Sequence, residues 1–232
     1  MELLGGATLA AAGVMAYGVR GRSAQLFGRS LWRGPRDRPW IALTFDDGPS
    51  ESTPELLRVL EQHRTPATFF QCGVNVRRLP EIAREVCQAG HEIGNHGHTH
   101  APFYFHSGRF MYEELMRAQQ AIAEAAGIRP VLFRAPQGAR WPGLGRAQKR
   151  AGLLGVMWTV LGRDWVLPAA GIARRLLQRA SNGAILCLHD GREVRPKPDI
   201  RETLEAVRRL VPELQARGFR FQTVSELLCS KN

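Results

Sequence analysis

Lysine is almost missing from this 232-residue chain: only Lys149, Lys197 and Lys231 occur, so the formal charge of +11 comes almost wholly from arginine. A basic surface suits nucleic acid, anionic lipid head groups or acidic glycans alike. No nucleic-acid-binding motif accompanies it. That sets nucleic acid aside and leaves an anionic surface or envelope polymer, or arginines simply solvated on helix faces. Cysteine is scarce too. Cys72, Cys87, Cys187 and Cys229 show no close pairing and no Cys-x-x-Cys, which gives no support to a disulfide framework. Internal repeats and low-complexity stretches are absent, and the 44% hydrophobic content suffices for one sizeable core.

Leu3 to Val19 is free of charge and rich in Gly and Ala. Its roughly 17 residues would span about 25 Å as a helix, short of a bilayer core of roughly 30 Å. Glu2 is the only charged side chain ahead of it, unlike a signal peptide. Arg20, Arg22, Arg29 and Arg33 follow, which by the positive-inside rule favours a cytoplasmic C-terminal side. The expectation is membrane contact through residues 3–19 as a marginal single helix, over a cleaved leader or a helix packed on the main domain. Residues 1–38 then form an apolar segment and basic linker ahead of one domain at 39–230.

Within that domain, strand-like runs fall at about 40–45, 66–71, 91–95, 131–134, 155–160, 184–188 and 219–223. Helical patterns fill the gaps at about 53–63, 80–89, 110–126, 142–151, 170–180 and 200–216. Ser52-Thr53-Pro54-Glu55 reads as a capping box opening the first. Seven strands alternating with helices predict a parallel α/β barrel, whose chemistry sits at the C-terminal ends of its strands.

One strand end carries two carboxylates: Trp40 to Phe45 runs into Asp46-Asp47-Gly48-Pro49. Adjacent like charges raise one another's pKa unless a cation takes up part of the charge. If one aspartate binds a metal, the other is free as a base, which suits metal-assisted hydrolysis. A surface turn is the plain alternative. Ile93 to His100 holds three histidines, and His96 and His100, four apart, would project from one side of a helical turn. Two imidazoles and Asp47 could bind a divalent ion with one position open. His98 ranks below its neighbours as a ligand, and His63, His91 and His106 read as structural.

Three further segments complete a pattern: Arg134-Ala135-Pro136-Gln137-Gly138, Asp164-Trp165 after an apolar run, and a strand ending in Cys187-Leu188-His189-Asp190. In this order, over about residues 39–228, the five segments resemble the NodB-type polysaccharide deacetylases. The resemblance implies a distorted (β/α) barrel and one divalent metal ion, usually zinc, with cobalt or nickel accepted by some members. It implies Asp47, His96 and His100 as metal ligands and Asp46 as general base, kept ionised by Arg134. His189 would be the general acid tuned by Asp164. Gln137 would lend its backbone N–H to an oxyanion, and Trp165 and Cys187 would line the acetyl pocket.

Four positions depart from the family pattern: Gly97 for Ser or Thr, Gln137 for Tyr, Leu161 for Asp and Cys187 for Leu. None removes a proposed ligand, base or acid. The expected activity is N-deacetylation of an amino-sugar glycan or glycolipid. An O-acetyl esterase on the same scaffold and a catalytically silent carbohydrate-binding barrel are the alternatives. Deacetylases of this group often act outside the membrane, against the orientation that the arginines favour.

Overall fold

The computed structural model describes residues 2–229. The chain opens with α1 (Glu2–Arg20), β1 (Ser30–Leu31), β2 (Trp40–Asp46), α2 (Thr53–Gln62), β3 (Thr68–Gln71), α3 (Gly73–Arg78) and α4 (Pro80–Gln88). Next come β4 (Glu92–Asn95), α5 (Gly108–Ala126), β5 (Leu132–Phe133), a 3-10 turn (Pro136–Gly138), α6 (Leu144–Ala151), β6 (Leu154–Val156) and β7 (Val160–Leu161). The last elements are α7 (Ala169–Arg179), β8 (Ile185–His189), α8 (Arg201–Ala216), β9 (Arg220–Gln222) and α9 (Val224–Leu228).

The strands form one parallel sheet in the order β1-β6-β5-β4-β3-β2-β8-β7, with β9 beside the start of β2. This is the parallel α/β barrel that the alternating pattern predicts, distorted as the family resemblance implies. The expected strand at 155–160 is two strands. β6 pairs with β5 and β1, whereas β7 pairs with β8 at the other end of the sheet. Met157 to Thr159 carries the chain between them, so covalent continuity closes the barrel where no ladder does. Ser30–Leu31, within the stretch set apart as a linker, adds β1 to the sheet.

The period of two along β2 decides what the sheet aims inward. Ile41, Leu43 and Phe45 join Phe69, Leu186, Leu188 and the apolar faces of α2, α7 and α8 in the outer core. Ala42 packs inside with Phe70, Leu132, Val156 and Ile185, closed below by Val224 and Leu227 of α9. Asp46 shares the register of Ala42 and Thr44, and His189 that of Ile185 and Cys187. Both therefore stand inside the barrel at the strands' C-terminal ends.

The first turn of α2 differs from expectation. Ser52 adopts a helical φ/ψ instead of the extended geometry of a cap, and its side chain caps nothing. Thr53 Oγ1 instead accepts from Ser50 N at 2.8 Å and donates to Asp190 Oδ2 at 2.6 Å. A capping box does exist at α9, where Thr223 and Glu226 bond reciprocally. Among the described residues no helix is long and apolar enough to cross a membrane. The last turn of α1 lies on the barrel, Arg140 N donating to Val19 O at 3.2 Å.

Thr223→Ala is expected to lower unfolding free energy by about 0.5–2 kcal/mol, and Ser52→Ala by less than about 0.5 kcal/mol. Urea titrations of both variants check this; a larger loss at Ser52 would restore the cap to α2.

Candidate active site

β2 and the turn after it place two adjacent aspartates in different surroundings. Asp46 Oδ1 accepts from Arg134 Nη1 at 2.6 Å, and its Oδ2 lies 3.4 Å from Cys187 Sγ. Arg134 is fully buried and spends its other donors on Thr44 Oγ1 (2.8 Å), Val156 O (3.2 Å) and Met157 O (3.3 Å). Asp47 takes a left-handed turn (φ 74), which swings its carboxylate away from Asp46. Asn75 Nδ2 donates to Asp47 O at 2.7 Å and Glu193 N to its Oδ2 at 2.8 Å.

Asp47 Oδ1 meets two imidazoles, His96 Nε2 at 3.2 Å and His100 Nε2 at 3.1 Å. The two histidines do not ride on a helix. They occupy the loop after β4, which Gly97 (φ 76) and His100 (φ 62) fold back on itself. A Cβ on Gly97 would find room, 3.5 Å from Pro136, but any side chain there would have to adopt that left-handed backbone. His96 Nδ1 stands 2.8 Å from the carbonyl of Arg134 and donates to it, which turns the Nε2 lone pair toward Asp47. Asp47 Oδ1 is buried with no aligned hydrogen bond of its own. These three atoms fit a shared cation: separations near 3.1–3.2 Å match tetrahedral ligands each about 2 Å from one ion. His98 stands outside this group. Its backbone N–H, with that of Thr99, bonds Glu114 Oε2.

His189 faces Asp46 across the mouth. Its Nδ1 lies 2.8 Å from Asp164 Oδ1, and Asp164 is further held by Thr203 Oγ1 (2.7 Å) and His189 N (3.0 Å). Burial alone would lower the His189 pKa, but the charge and hydrogen bond of Asp164, with Asp47 and Asp46 behind, raise it to about 9. Burial would raise Asp47, yet its His100 and His96 contacts hold it well below the usual carboxylate range. Asp190 goes the other way. Burial raises it most, with the charges of Asp47 and Asp46 adding, and against hydrogen bonds from Thr53 and the backbone it rises to about 7.

Asp46, Asp47, His96, His100 and His189 line one cavity of about 530 Å³ with Gln137, Gly138, Trp158, Leu161 and Trp165. Trp165 meets His189 edge to face at 5.3 Å. Gln137 lies on the 3-10 turn with φ 54. Cys187, expected in the pocket wall, is fully buried beneath Asp46 instead, because the inward register of β8 puts it one layer below His189. Sequence reasoning missed Asn75, Thr203, Arg192 and Glu114. Glu114 had a signal, a carboxylate beside Met111 and Leu115 on the apolar face of α5; the others are ordinary polar residues until the fold brings them in.

Equilibrium dialysis against a weak chelator is expected to retain about one divalent ion per chain. His100→Ala should lose it and His98→Ala should keep most of it; the reverse order would reassign the ligands.

The site's relatives agree with its geometry. The polysaccharide deacetylase family profile matches residues 33–156. The chain is 35% identical over 209 residues to a peptidoglycan-N-acetylglucosamine deacetylase of Bacillus cereus, covering 88% of this chain and 95% of that one. It is 37% identical over 196 residues to a chitooligosaccharide deacetylase of Bradyrhizobium, covering 81% and 90%. A crystal structure of a peptidoglycan N-acetylglucosamine deacetylase superposes with a TM-score of 0.81 at 27% identity, covering 87% and 94%. The profile over residues 33–156, and the relatives and superposed fold over more than four fifths of the chain, agree: this chain belongs to the polysaccharide deacetylase family.

Proposed function

We propose that this protein is a metal-dependent hydrolase that removes N-acetyl groups from an amino-sugar glycan or glycolipid. The supporting observation is the pairing of Asp46 and His189 in one cavity with the Asp47, His96 and His100 group. Asp46 and His189 offer atoms within 4.8 Å of each other, each paired with its own buried partner. A binding module has no use for both.

Zinc is the ion we assign, since imidazole nitrogens and a carboxylate suit it. Bound there, it would supply Lewis-acid polarisation of the acetyl carbonyl and lower the pKa of water. The chain's own residues do the rest. Asp46 takes a proton from water as the oxygen attacks the carbonyl carbon. The Gln137 backbone N–H, at the cavity wall, donates to the oxyanion. His189 Nε2–H protonates the sugar nitrogen as the C–N bond breaks, giving acetate and a free amine. Trp165, Trp158 and Leu161 bound the space for the acetyl methyl.

We also propose that α1 brings the protein to a membrane. Val14, Met15 and Tyr17 are exposed on it, and arginines follow directly. The full chain should then sediment with membranes in cell fractionation; complete recovery in the supernatant would refute the contact.

Acetate release from N-acetylated and O-acetylated glycans tests the main reading, with faster release from the N-acetylated set expected. His189→Ala should slow amide cleavage roughly 100- to 10,000-fold and an activated aryl ester far less, because its leaving group needs no proton. Equal losses on both would remove His189 from the acid role.

The pKa of about 9 keeps His189 protonated below that pH, so the rate should fall as pH rises through it. Asp164→Asn withdraws the main raising influence and should move this alkaline limb to lower pH. An unmoved limb would mean that another group sets it.

A further inference from the structure

One wall of the catalytic cavity comes from outside the matched family segment. Arg20, the last residue of α1, lines the cavity beside Gln137, whereas the family profile begins at residue 33. Its Nη1 donates to Gln137 O at 3.3 Å, and its guanidinium lies 5.8 Å from the Tyr104 ring centroid. The cavity's other arginines have acidic neighbours. Arg192 lies 3.5 Å from Asp164, and Arg195 lies 3.9 Å from Glu193. Arg20 has no such partner among the described residues.

Its position is built. Arg140 is 3% exposed and bonds the end of α1 and the turn that follows it. Its N donates to Val19 O at 3.2 Å, its Nη1 to Ala24 O at 2.6 Å and its Nη2 to Gly21 O. Arg22 Nη1 adds a bond to Thr159 O, in the connection between β6 and β7. Hydrogen bonds on both sides of Arg20 thus hold the backbone that carries it at the cavity. The guanidinium fork matches carboxylate and phosphate oxygens.

The geometry points to Arg20 as a specificity-determining residue that binds an anionic group, carboxylate or phosphate, on or beside the N-acetylated sugar. The inference rests on the deacetylase reading and names the substrate class within it: acidic amino-sugar glycans over neutral ones. The anion is either a lactyl carboxylate on a neighbouring sugar or a phosphate joining the sugar to a lipid.

The test compares kcat/KM of the zinc-loaded full chain on three substrates. These are a neutral chitooligosaccharide, a peptide-free glycan strand with lactyl carboxylates, and N-acetylglucosamine linked by phosphate to a polyprenyl lipid in detergent. Arg20→Ala should lower the ratio of anionic to neutral kcat/KM by about 10- to 100-fold, the range for a charged hydrogen bond. The loss should appear in KM. Arg20→Lys should recover part of the ratio, and Arg20→Glu should depress it further. A fall on the carboxylate substrate alone assigns the anion to the glycan, and a fall on the phosphate substrate alone assigns it to the lipid link. An unchanged ratio on both would overturn the proposal, as would equal kcat losses on all three at unaltered melting temperature. Absence of acetate release from all three substrates by the zinc-loaded wild-type chain would instead overturn the deacetylase reading itself.

Discussion

The ion pair between Arg134 and Asp46 is the constraint on which the upper barrel depends. A guanidinium with no solvent exposure is tolerable only if every face is answered. Here Asp46, Thr44 Oγ1 and the carbonyls of Val156 and Met157 take its N–H groups, and the Phe70 ring lies 4.1 Å from its centre. Those partners come from β2, β3 and β6 and the connection beyond it, so the charge ties one side of the barrel to the other. Removing one member of such a pair costs about 3–5 kcal/mol. Site and scaffold are therefore not separable: the group that pairs with Asp46 also fixes the strands that carry it.

The second aspartate shows how the surroundings impose geometry. Asp47, His100 and Gln137 all hold left-handed backbone without being glycine, each at a cost of about 1–3 kcal/mol. Hydrogen bonds from Asn75 and from Glu193 N fix the Asp47 turn. Gly48 follows because a Cβ there would strike the Asp190 carboxylate, and Gly191 because a Cβ there would meet the Asp47 backbone. The Asp-Asp-Gly run is thus a packing solution as well as a chemical one. Asp190, with its pKa raised to about 7, carries only part of a negative charge around neutral pH, which eases the crowding at the mouth.

Much of this was legible in the chain. The apolar run into Asp46 marked β2, and six of the seven expected strands appear with small shifts, the run at 155–160 being two strands instead of one. What escaped had physical reasons. β1 is a two-residue strand with no periodicity to detect. The break between β6 and β7 exists only because the barrel must close. His96 and His100 converge through a loop, since left-handed Gly97 and His100 do with backbone what a helix would do with spacing. Cys187 was read as pocket lining and lies a layer below, because strand register outranks motif position. Asn75, Thr203 and Arg192 are unremarkable in one dimension; each matters through a partner more than ten residues away.

The central claim is that Asp46 and His189 divide one amide hydrolysis between them. The most direct measurement follows both halves of the bond: an N-acetylglucosamine oligomer is incubated with zinc-loaded protein in ¹⁸O-water, and both products are read by mass spectrometry. The account predicts a free amine on the sugar and one ¹⁸O in the released acetate, in equal amounts. Acetate without matching amine, or acetate free of label, would contradict it.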